Sequence, residues 1–138
     1  MNLAMQITDF NEFLMLARTQ DEPQRLLFVF SARELPRNHT PGQKKRFKAG
    51  LGGALAPVMC VDKAVDELPD FATLAQESRQ AGHPWDLAFV AALPGIDGAL
   101  PTAPDVERAL EMMIDAVHRG AVERFLAFDG QGRLVRLS

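Results

Sequence analysis

The stretches "LLFVFSA" (26–32) and "DLAFVAAL" (86–93) decide the fold. Each is apolar at odd and even positions alike, as a strand covered on both faces would be. Prolines bracket both runs: Pro23 and Pro36 around the first, Pro84 and Pro94 around the second.

Working outward, helical signals alternate with strand signals. Residues 9–19 place Phe10, Phe13, Leu14 and Ala17 on one face, with Asp9 and Glu12 as a capping pair. "HTPGQKKRFKAG" (39–50) reads as a short helix, with Thr40 as cap, Pro41 in the first turn, Gln43 completing a capping box and Gly50 as stop. "VMCVD" (58–62) is a second strand, which either begins after Pro57 or lies at an edge there, because proline has no N–H to donate. A helix over about 69–81 puts Phe71, Leu74, Ala75 and Ser78 on one face. Another, over about 103–119, is capped by Thr102 and points Val106, Ala109, Leu110, Met113 and Val117 inward. "RFLAFD" (124–129) and "RLVRL" (133–137) form a hairpin across "GQG".

The resulting order, α-β-α-β-α-β-α-β-β, predicts one α/β domain over residues 1–138. Its expected architecture is a mixed, mostly parallel sheet with flanking helices and a C-terminal antiparallel hairpin. The two halves echo each other: "EPQRLLFVFSARELP" (22–36) resembles "HPWDLAFVAALPG" (83–95). A tandem duplication would produce this, and so would the reuse of the same caps and stops along any alternating chain.

Charge is distributed unevenly. The net charge is −3, yet no carboxylate occurs from Leu35 to Val61, where Arg37, Lys44, Lys45, Arg46 and Lys48 contribute +5 and leave −8 for the rest. "KKRFKAGLGG" (44–53) adds glycines, and Arg37, Lys44, Lys45, Arg46, Lys48, Gly50, Gly52 and Gly53 are the candidate residues for a protein partner or an anion. The lysines precede the glycines, so the segment is not a Walker loop, and the dinucleotide glycine fingerprint is absent too. Residues 37–54 are expected to be a mobile basic connection. Nucleic-acid binding is disfavoured, since five charges on an acidic chain would give weak, strongly salt-dependent affinity.

A second candidate lies where ligands bind in open parallel sheets, outside the carboxyl ends of the strands. There Arg33, Glu34, Asp62 and Lys63 would hold a small polar ligand or act as acid and base, or else pair with one another. Glu107, Glu111 and Asp115, at i, i+4 and i+8, form an acidic stripe on the outer face of a helix. Cys60, the only cysteine, is expected to be a buried structural thiol. No catalytic, metal or cofactor motif is present in the sequence: no Gly-x-Ser-x-Gly, Cys-x-x-Cys or His-Glu-x-x-His. The single cysteine, the acidic start and the lack of a long apolar run predict a cytoplasmic protein outside the membrane.

"GGALAPVMCVDKAVDELPDFATLAQESRQAGHPWDLAFVAAL" (52–93), with "RFLAFDGQGRLV" (124–135), resembles a family of small, uncharacterised proteobacterial proteins. Members sometimes carry the label ribonucleotide reductase alpha subunit. That chemistry needs several cysteines to deliver a radical and reducing equivalents, and this chain has one. The resemblance therefore implies no activity, cofactor or catalytic residue. The sequence leaves a non-enzymatic module for protein interaction or self-assembly through 37–53 as the first expectation. A small-ligand domain or enzyme at the sheet's carboxyl edge is the alternative, and weak nucleic-acid binding a further one.

Overall fold

A computed structural model describes residues 7–35, 38–48 and 54–136. The elements run α1 (Phe10–Arg18), β1 (Gln24–Glu34), α2 (Pro41–Lys48), β2 (Ala54–Ala64), a 3-10 turn (Val65–Glu67), α3 (Phe71–Gln80), β3 (Leu87–Pro94), α4 (Ala103–His118), β4 (Leu126–Asp129) and β5 (Leu134–Val135). One five-stranded sheet has the order β2-β1-β3-β4-β5.

Every neighbouring pair in that sheet is antiparallel, which overturns the mostly parallel sheet expected from the alternation of elements. The first connection shows why β1 and β2 are so paired. A parallel crossover needs a helix whose apolar stripe packs back onto the sheet. Pro41, Gly42, Gln43, Lys44, Lys45, Arg46 and Lys48 give α2 no such stripe, and all of these residues are exposed. The chain instead returns beside the strand it left, and Glu34 stands opposite Ala54. The doubly apolar pattern of β1 reports cover on both faces, not strand direction. Leu26 to Ser31 are six consecutive buried residues in its middle.

The cover is two hydrophobic layers. On one face α1 and α3 pack Phe10, Leu14, Phe71 and Leu74 over Leu26, Phe28 and Phe30. Phe10 is fully buried and meets the Phe128 ring edge-on, with centroids 5.3 Å apart. On the other face α4 sets Val106, Met113 and Val117 over Leu27, Val29 and Phe89. These inward faces match the helical spacings in the sequence. The C-terminal hairpin is present too, with Phe128 opposite Leu134.

The sequence echo between the halves does not fall on equivalent core positions. It aligns Phe28–Val29 with Phe89–Val90, yet Phe28 and Val90 face one layer while Val29 and Phe89 face the other. A one-residue offset in a strand swaps faces, so the matched residues do different work.

Candidate interaction surface

The two edges of the sheet differ. Beside β5, the N-terminal segment adds a short ladder: the Leu134 amide donates to Thr8 O at 2.9 Å and the Phe10 amide to Gly132 O at 2.8 Å. β2 is the terminal strand on the other side, and among the described residues nothing pairs with its outer edge. It is 11 residues long and none of its residues is buried, unlike those of its neighbour β1. From Ala54 to Val61 it carries no charge. Such an edge presents unpaired amides and carbonyls as a template for another strand. The register shifts between Phe30 and Ser31, which pair with Met59 and Pro57 and leave Val58 as the extra residue of a bulge. Pro57 thus lies inside the strand, tolerated because the strand is an edge.

α2 lies in the connection between β1 and β2. Its start was legible in the sequence. The Thr40 amide donates to Gln43 Oε1 at 2.8 Å, and the Gln43 amide donates to Thr40 Oγ1 at 3.1 Å, a reciprocal capping box. Lys44, Lys45, Arg46 and Lys48 are all exposed, and no described carboxylate pairs with them. Lys44 and Lys48 repel at i, i+4, partly offset by the favourable place of Lys48 in the helix's last turn. Arg37, Gly50, Gly52 and Gly53 lie outside the described residues.

The opposite end of β2 is acidic. Asp21, Glu22 and Asp66 share one hollow there with Arg18, whose guanidinium donates to Leu68 O at 2.8 Å. Asp62 is paired with Arg25, which also approaches Glu67 at 3.5 Å, and Lys63 is paired with Glu77 at 3.0 Å. Asp21 and Asp66 are exposed and have no ion-pair partner among the described residues. The strand therefore has a basic corner at its start and an acidic one at its end.

That geometry separates the four residues of the small-ligand alternative. In the antiparallel register Arg33 and Glu34 stand opposite Leu55 and Ala54, at the start of β2, while Asp62 and Lys63 stand opposite Leu27 and Leu26. At about 3.3 Å per residue, the six positions from Leu27 to Arg33 put roughly 20 Å between the pairs. Only a parallel sheet would have brought them to one edge.

Nothing matches from outside. Comparisons with protein-family models, with curated proteins and with solved structures all found no match for this chain.

The remaining candidates are accounted for locally. Cys60 is exposed, not buried as expected, because β2 is an edge strand. Within the acidic stripe of α4, Asp115 accepts from Arg119 at 2.9 Å, and Glu107 and Glu111 are exposed. Among the described residues no cluster of three or more His, Cys, Asp or Glu side chains is placed to hold a metal ion, and no helix is long and apolar enough to cross a membrane. Of the two readings the sequence offered at Pro57, a strand beginning after it or an edge there, the structure has the edge, though the sequence did not mark that edge as a candidate surface. The signal for it was Pro57 within an otherwise strand-like run.

Proposed function

We propose that this protein is a cytoplasmic recognition module that binds an extended protein segment by strand addition along β2, with the cations of α2 selecting acidic partners. The observation that carries this reading is the outer edge of β2, which no described residue pairs with and which begins six positions after an exposed helix bearing four cations. Strand addition draws its affinity from main-chain hydrogen bonds that any extended segment can make, so it needs a second element for selectivity. Charged side chains held clear of the core supply that through steering and register. An exposed lone thiol at Cys60 fits a reducing compartment.

The test is an amide chemical-shift titration at low salt with two synthetic peptides, one alternating Val and Glu, the other Val and Lys. Saturable shifts in β2 and α2 with the acidic peptide are expected, with at least roughly tenfold weaker binding of the basic one. The variant K44E/K45E/R46E/K48E should lose that preference while keeping its melting temperature, since exposed substitutions cost little. Equal binding of both peptides, or a short RNA that shifts α2 and leaves β2 unmoved, would overturn the reading.

A further inference from the structure

Resting on that strand-addition reading, we infer that the partner of β2 is a second copy of this chain, paired antiparallel to it across a two-fold axis. The argument is the polarity of the edge. The helix that leads into its start, ending six positions before Ala54, carries Lys44, Lys45, Arg46 and Lys48, all exposed and without a described carboxylate partner. At its end stand Asp21 and Asp66, equally exposed and without a described cation partner. Antiparallel pairing of two identical strands sets the start of each beside the end of the other. Each basic corner then meets the partner's acidic corner, twice per dimer. Parallel pairing would set like against like at both ends. Between the corners, the uncharged residues Ala54 to Val61 place no charge opposite another.

Closure favours the same partner. A two-fold contact is isologous, so it consumes the open edge of both copies at once. The far edge is already laddered to the Thr8–Phe10 segment. Two copies thus make a ten-stranded sheet whose outer margins, among the described residues, are the short Thr8–Phe10 ladders in place of two long apolar edges.

The experiment is charge-swap complementation followed by sedimentation velocity over a concentration series. Wild type should dimerise, less tightly as salt rises. K44E/K45E/R46E/K48E makes both corners acidic, and D21K/D66K makes both basic. Each alone should self-associate at least about tenfold more weakly than wild type. An equimolar mixture should restore a dimer containing one of each, because every corner again meets its opposite. The substituted side chains are exposed, and Trp85 fluorescence verifies that each variant is folded. If either multiple variant is unfolded, the pair K45E and D66K replaces it with the same pattern at smaller amplitude. Wild type monomeric throughout would overturn the dimer, and variants that dimerise as wild type does, or a mixture that fails to associate, would overturn the pairing of basic with acidic corners. The Val/Glu peptide separates the two levels. A monomeric chain that still binds it along β2 loses only the identity of the partner, whereas one that binds neither loses strand addition as well.

Discussion

Trp85 donates its indole N–H to the hydroxyl of Ser78 at 2.8 Å, and that hydroxyl donates onward to Ala75 O at 2.7 Å. The chain ties the entry of β3 to the buried face of α3, and Ser78 is 4% exposed. The Trp85 ring also rests on Phe30, with centroids 5.0 Å apart. Ser78→Ala leaves the indole N–H without its acceptor in a half-buried place. The expected loss is about 1–3 kcal/mol. Urea unfolding followed by the fluorescence of Trp85, the only tryptophan, measures it directly. An unchanged midpoint would show that the hydrogen bond contributes nothing net.

Ser31 predicts the opposite sign. It is fully buried in β1, and its Oγ has no hydrogen-bond partner among the described residues. A buried hydroxyl without a partner costs desolvation and returns nothing. Ser31→Ala should leave stability unchanged or raise it by up to about 1 kcal/mol, read as the shift in urea midpoint. A clear loss would contradict the burial argument.

The contrast between these serines shows what the sequence carried. Helical spacing identified Ser78 with Phe71, Leu74 and Ala75 as one inward face, and all four are buried. The caps at Thr40, Asp9 and Thr102 were equally legible, since each signal lies within three residues of its partner. Strand direction was not local in that sense. For β1 and β2 it depended on whether the helix between them could cover a face, and the composition of α2, four cations and no apolar stripe, already argued against it. With direction misread, Arg33 and Asp62 were assigned to one edge, and Cys60 was expected inside when it stands outside. The basic segment needed only composition to be seen. Pro57 allowed an edge there, but choosing the edge over a strand that begins after Pro57 needed strand order, which follows from contacts between residues far apart in the chain.

Gly132 offers a backbone test. It sits in the turn before β5 with φ +81°, where side chains are strained, and a Cβ built there would approach the Phe71 ring at 2.9 Å. Phe71 is 8% exposed and held within the aromatic cluster, so it has little room to yield. Gly132→Ala should cost more than about 1 kcal/mol, combining strain with displacement of that ring. The Phe10 amide bonds the Gly132 carbonyl, so thermal unfolding should show the loss together with faster amide exchange at Phe10. A melting temperature equal to wild type would mean the turn can relax.

Asp70 makes the stability of α3 depend on pH. The backbone N–H of Thr73 donates to Asp70 Oδ1 at 2.9 Å and the Thr73 hydroxyl donates to the same oxygen at 2.8 Å. These bonds, the backbone one first, hold the carboxyl below its ordinary value. The folded chain therefore binds this proton less readily than the unfolded chain does. Stability from this cap is complete above the ordinary aspartate value, near pH 4, and is lost as pH falls through the lower folded value. Asp70→Asn keeps a capping acceptor but cannot titrate. Between about pH 5 and pH 2 the melting temperature of wild type should fall more steeply than that of the variant. The other carboxylates titrate in both proteins and cancel in the difference. Parallel curves through this range would show that the Thr73 bonds survive protonation of Asp70, and the cap would then owe nothing to its charge.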